Sequence, residues 1–150
     1  MGWGIIETQN NSLFHVAHGA IHTSSSEPMS DRLGFLHKNL CALIEEFKPQ
    51  AVAVEETFVN ANPNSALRLG MARGIAMMVP SLFGLQVFEY APNKVKKSVV
   101  GVGHANKEQV SHMIQLLLPK AAPVKKDAAD ALAIAICHSH HSHMYKESVQ

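Results

Sequence analysis

Cysteine is scarce: the 150 residues hold two, Cys41 and Cys137. They lie far apart with no partner spacing, so neither a disulfide framework nor a thiolate zinc site is encoded, and a reducing compartment fits. Long hydrophobic runs are missing as well. The most apolar stretches, 75–85 and 128–137, are broken by Pro80, Ser81 and Asp130, which excludes a membrane-spanning helix. Nothing after Met1 reads as a basic segment followed by an apolar one, and Ile6 stands where a myristoylation signal needs Ser or Thr. The expectation is a cytoplasmic protein with no membrane association. Charge is sparse at 17%, but hydrophobic residues reach 47%, enough to exclude gross disorder. At this length we expect a single domain over 1–143, with 144–150 a flexible tail.

A net charge of +1 conceals an asymmetry. Residues 1–93 carry eight acids against five Lys/Arg, whereas 94–126 carry seven lysines and one acid, Glu108. A basic stretch beside an acidic half points to a polyanion on one face. On charge alone the same stretch also reads as a solvated lysine surface.

Runs of β-branched and aromatic residues over 4–7 and 13–23, separated by Gln9-Asn10-Asn11-Ser12, predict a β-hairpin. Leu33, Leu36, Leu40, Leu43, Ile44 and Phe47 recur at three- and four-residue steps, an amphipathic helix stopped before Pro49. Ala51-Val52-Ala53-Val54 predicts an apolar strand delivering Glu55 and Glu56 at its carboxyl end. Asn62-Pro63 has the order of a cap and a first helical residue, opening a helix to about Val79. A strand over 85–90, helices over 94–100 and 106–118, and an alanine-rich helix from about Asp127 to about His138 complete the chain. The order predicts an α/β fold with a small mixed sheet. The tract Cys137-His138-Ser139-His140-His141-Ser142-His143 has a composition that can bind a transition metal, but its terminal position favours a solvated tail.

Glu55 stands where ligands collect in open α/β sheets, outside the carboxyl end of a strand. Asp127 and Asp130 are three residues apart, so both carboxylates leave one helix face. Hard oxygens so placed suit Mg²⁺, although acids in a first helical turn are also favoured by the macrodipole alone. The small residues Ala128, Ala129, Ala131 and Ala133 let this helix approach a strand closely. Carboxylates gathered from a strand and a helix repel unless a cation joins them. Two divalent ions at such a site can activate a water and stabilise the leaving oxygen of a phosphodiester.

Several longer motifs are specific enough to carry a family resemblance. Ala53-Val54-Glu55-Glu56-Thr57-Phe58, the segment Ser65 to Gly74, Val87-Phe88-Glu89-Tyr90-Ala91-Pro92, the segment Lys96 to Gly103, and Asp127 to Ala135 resemble, in order and spacing, the RuvC crossover junction endodeoxyribonucleases. The resemblance covers nearly the whole chain. It implies a ribonuclease-H-like fold and a homodimer that resolves four-way Holliday junctions by paired nicks during recombination and repair. It further implies two Mg²⁺ per subunit, with Mn²⁺ able to substitute, and partnership with the branch-migration proteins RuvA and RuvB.

Carried over residue by residue, Glu55, Asp127 and Asp130 match three of the family's four acidic metal ligands. Phe58 matches an aromatic placed to stack on a base near the junction centre. Lys96 and Lys107 match basic positions facing the scissile backbone, where Lys107 also counts as catalytic, and Arg68 adds a phosphate contact. Arg73 reads as a structural partner of Glu89, and Met71, Met77 and Met78 as core or dimer filling. The sequence departs from the family at its start. The first acidic ligand belongs to a Gly-Ile-Asp-Pro-Gly motif on a strand preceding Met1-Gly2-Trp3-Gly4-Ile5-Ile6, and Glu7, on the hairpin, is no substitute. Two expectations follow: either translation begins upstream, or the product is a junction-binding module impaired in cleavage, with strand edges left exposed.

Overall fold

Glycines opposite a small-residue helix set the packing of the first of two compact units, Met1–Ala20 with Tyr90–Gln150. The computed structural model describes residues 1–10, 12–56, 62–121 and 123–147. In this unit β1 (Gly2–Gln9) pairs antiparallel with β2 (Ser12–Ala20), Gly2 facing Ala20 and Gln9 facing Ser12. Asn10 takes a left-handed φ of 45°, as a tight hairpin turn requires. Ile5 faces Ala17 but Ile6 faces His15, so Val16 is the extra residue of a bulge.

Three helices follow in the same unit: α3 (Pro92–Val100), α4 (Lys107–Leu117) and α5 (Lys126–Glu147). Helix α5 packs on both hairpin strands, and α3 and α4 pack on α5. A side chain at Gly2 would run into the backbone carbonyl of Asp127, and a Cβ at Gly4 would lie 2.7 Å from Leu132 Cδ2. The alanines of α5 and the glycines of β1 therefore permit one close approach from opposite sides. Leu132, Ile136 and Cys137 of α5 are fully buried with Ile114 and Leu118, and Val95 and Val99 of α3 close the same core. Gly101 ends α3 at a φ of 91°, its N–H donating to Lys97 O at 2.9 Å. Asn106 and Gln109 form a reciprocal capping box on α4, each bond 2.9 Å.

The second unit, Ile21–Glu89, holds α1 (Met29–Phe47), β3 (Ala51–Glu55), α2 (Pro63–Leu82) and most of β4 (Gln86–Tyr90). Helix α1 packs on α2, α2 packs on β3, and β3 and β4 are hydrogen-bonded neighbours. Lys48 closes α1 in a left-handed conformation, with its N–H on Ile44 O at 2.9 Å. Asn62 caps α2 as its sequence predicts, accepting from Asn64 N and Ser65 N at 3.1 and 3.3 Å.

Two boundaries differ from expectation. Helix α2 passes Pro80 and ends at Leu82, because the N–H that proline lacks is lost only in the last turn, where Phe83 N still reaches Val79 O and Pro80 O at 3.3 and 3.1 Å. Helix α5 runs beyond His138 to Glu147, which corrects the reading of the histidine tract as a solvated tail. Ser139 is buried, and His138, His141 and Ser142 are half-buried. The physical reason is a second pattern hidden under the polar composition: Ser139 Oγ and Ser142 Oγ donate to carbonyls one turn back, at 2.7 and 3.0 Å, so these short polar residues satisfy themselves within the helix.

Candidate functional site

Asp127 in the first turn of α5 and Asp130 at the start of the next are both exposed, while Ala128 and Ala129 between them are buried. Burial of the alanine pair against the glycine strand turns both carboxylates outward on adjacent positions of one face. Helix α4 packs on α5 and brings Lys107 beside them, with Nζ 3.9 Å from Asp130 Oδ2. Both side chains are more than half exposed, so the pair adds little stability; its significance is a cation held next to a carboxylate. Lys96 is half-buried on α3, and Lys94 and Lys97 are exposed on the same helix.

In the second unit Glu55 is the exposed last residue of β3. Its backbone carbonyl accepts a hydrogen bond from Arg73 Nε at 3.3 Å, and Arg73 Nη2 pairs with the Glu89 carboxylate. One guanidinium from α2 thus ties the carboxyl ends of β3 and β4. Arg73 is structural, as its sequence context indicates, but the bond to Glu55 was not visible there: a backbone acceptor leaves no residue signature. Arg68 is exposed in the second turn of α2. Phe58 lies outside the described residues.

The structure therefore groups Asp127, Asp130 and Lys107 in one unit, with Lys96 on an adjoining helix, and Glu55 and Arg68 in the other. Among the described residues, no group of three or more His, Cys, Asp or Glu side chains converges on a metal position. The donor set of α5 still has the chemistry of a Mg²⁺ site, because that ion commonly keeps several waters and takes one or two carboxylates, completing its shell with substrate phosphate oxygens. Among the described residues the histidines form no such group either. Burial, and then His141, holds His138 below its ordinary value; burial, and then His18, does the same to His15. Two residues invisible to motif reading contribute to the site's frame, Gly2 and Gly4; the cue was glycine in alternation on a strand preceding a small-residue helix.

Comparison with known proteins gives one consistent result. The family model described as crossover junction endodeoxyribonuclease RuvC matches residues 1–138. A curated RuvC of that name from Bradyrhizobium diazoefficiens is 52% identical over 140 residues, covering 93% of this chain and 80% of the relative. One from Cereibacter sphaeroides is 54% identical over 141 residues, covering 94% and 83%. The solved structure of Thermus thermophilus RuvC in complex with Holliday junction substrate is similar at a TM-score of 0.88 and 34% identity, over 95% of this chain and 88% of that one.

Proposed function

The chain belongs to the RuvC family of crossover junction endodeoxyribonucleases, nucleases of ribonuclease-H-like fold, and from that membership we propose how its residues resolve a four-way DNA junction. The single observation that carries the assignment of parts is the outward pair Asp127 and Asp130 on a helix seated against glycine strand β1, with Lys107 at its side. Asp127, Asp130 and Glu55 would hold divalent metal, two Mg²⁺ per subunit, with Mn²⁺ able to replace them. The ions, when bound, supply Lewis acidity to the phosphodiester and lower the pKa of an attacking water.

The chain's own residues do the rest. Backbone packing fixes the aspartates: the helix cannot slide toward the hairpin without Leu132 meeting Gly4. Arg73 fixes the main chain at Glu55 and so the root of its side chain. Lys107 leaves Asp130 for a phosphate oxygen when substrate arrives, an exchange made cheap by the exposure of the pair. Lys96 and Arg68 contact the DNA backbone, and Phe58 stacks on a base at the opened junction centre. Hydrolysis leaves 5′-phosphate and 3′-hydroxyl ends.

Paired nicking of a two-fold substrate calls for a two-fold enzyme. Support for a homodimer comes from α2, where Leu67 and Leu69 are 60% and 57% exposed and Met71 and Met78 are also exposed. Family membership supports the RuvA and RuvB branch-migration proteins as partners and the cytoplasm as location. Among the described residues, no helix is long and apolar enough to cross a membrane.

The test is cleavage of an end-labelled four-way junction in Mg²⁺, with binding measured separately in EDTA. Asp127→Asn and Glu55→Gln should each lower the single-turnover rate by on the order of 10³-fold, the scale of a lost transition-state stabiliser, while junction binding persists. Retained nicking in either variant would sink its role as a metal ligand.

A further inference from the structure

Helix α5 carries its aspartates at one end and a row of histidines further along, Asp130 and His138 being about 12 Å apart at the usual helical rise. Those histidines do not simply face solvent. Tyr90, the residue two before α3, shares a hydrogen bond with His138 through its hydroxyl and Nδ1, 2.9 Å apart. Ser98, on the second turn of α3, pairs with His140 through Oγ and Nδ1 at 3.1 Å. Between these two ties the Cys137 thiol points at Lys94 O at 3.9 Å, and the rings of His138 and His141 lie 5.9 and 5.6 Å from the Tyr90 ring. Lys94 Nζ sits over the other part of that cluster, 5.1 Å from the Tyr90 centroid.

Helices α3 and α5 pack together, and Val95, Val99 and Ile136 are buried, but burial is non-directional and leaves a short helix free to slide or roll. Hydrogen bonds have direction and reach, and two of them at different heights fix both motions. Burial also holds the Cys137 thiol up, the Ser98 hydrogen bond and Lys94 opposing it, so the thiol is kept protonated where it meets Lys94 O.

We propose that His138 and His140 are positioning residues, clamping α3 to the far end of the helix that bears Asp127 and Asp130, so that the lysines of α3 present a DNA phosphate backbone at a fixed distance from the two carboxylates. The proposal rests on reading Lys96 and its neighbours as phosphate contacts. It assigns the histidine tract a use that neither metal binding nor a solvated tail provides: α5 is a rod with carboxylates at one end and the anchor of the basic helix at the other.

Two measurements separate the clamp from the phosphate reading. Native-state hydrogen exchange of His138→Leu should show the amides of α3 exchanging at least tenfold faster, with α4 and the first half of α5 unchanged; a general loss of stability would speed all three. Tyr90→Phe, which keeps the ring and removes only the hydroxyl, should reproduce the effect in a folded protein, and His138→Asn, which restores a hydrogen-bonding atom near Nδ1, should reverse it. The second measurement is the salt dependence of four-way junction binding in EDTA. Lys96→Ala should flatten the slope of log K against log salt by about 0.9, one phosphate contact. His138→Leu should flatten it by at least as much, and His138→Asn should return it. Unchanged α3 protection in both His138→Leu and Tyr90→Phe overturns the clamp. An unchanged slope in Lys96→Ala overturns the phosphate reading, and with it the purpose of the clamp.

Discussion

The two units bury their apolar residues very differently. In the first, Leu132, Ile136, Cys137, Ile114 and Leu118 are essentially inaccessible, and His138 and His141 are half-buried further along the same helix. In the second, burial among the described residues falls on Ile21, Leu36, Val79 and Pro80, while Phe35, Leu67, Leu69, Met71, Met78, Leu82 and Phe83 stay substantially exposed. The contrast extends to the acids. Asp127 and Asp130 are held by packing, through a helix wedged against glycines; Glu55 is held by polar contacts, through a carbonyl gripped by an arginine that is itself gripped by Glu89. Packing resists small displacements steeply, whereas a partly exposed ion pair yields and is screened by salt. The aspartates of the first unit are therefore stiffly held, and Glu55 of the second is held compliantly.

The sharpest way to break this contrast is to add one methyl group in each unit. Gly4→Ala should destabilise by roughly 1–3 kcal/mol, since its Cβ meets the fully buried Leu132. Gly70→Ala, in the exposed interior of α2 where nothing lies within 4 Å, should instead stabilise by about 0.4–1 kcal/mol. Thermal unfolding of both variants decides it, and a Gly4→Ala protein at least as stable as the parent would mean that Gly4 is not a packing site. Next in size is Arg73→Ala. Its ion pair is 28% and 39% exposed on its two sides, so after screening the loss is about 0.2–1 kcal/mol, with a larger proportional effect on nicking than on melting if Glu55 is loosened. A melting change with no change in nicking would detach Arg73 from the site.

The smallest effect is on pH. His138 and His15, both in the first unit, have folded pKa values held below the usual 6.5, mainly by burial. Above 6.5 both are neutral folded or unfolded and their contribution to stability is complete. As pH falls, the unfolded chain takes up protons that the folded one resists, so stability declines through the window between 6.5 and the lowered folded values. Melting temperatures at about pH 7.5 and about pH 5.5 should differ less in His138→Asn than in the parent. An equal difference would place the proton uptake elsewhere.

Much of this was legible in the residues. The hairpin, the Asn62-Pro63 start of α2 and the outward pair on α5 follow from local chemistry, because turn, cap and periodicity are each written within a few residues. Composition alone ranks histidine and serine as polar and places the tract in solvent, whereas Tyr90 and helix α3 partner His138 and His140. The end of α2 lies three residues past the expected Val79, because Pro80 forbids one hydrogen bond and not a final turn. The tie between Arg73 and the Glu55 carbonyl had no local signal at all, being a contact between residues eighteen apart through an atom every residue possesses.

The seating of α5 also bears on which parts of the chain can change length. One residue inserted between Ala131 and Ile136 would turn everything after it by about 100° relative to what precedes it, parting the aspartate end from the histidine end. One residue inserted in the exposed connection around Gly101 and Val102 would turn neither. Over this stretch the number of residues is itself a structural dimension, whereas the connection after α3 can change length without altering it.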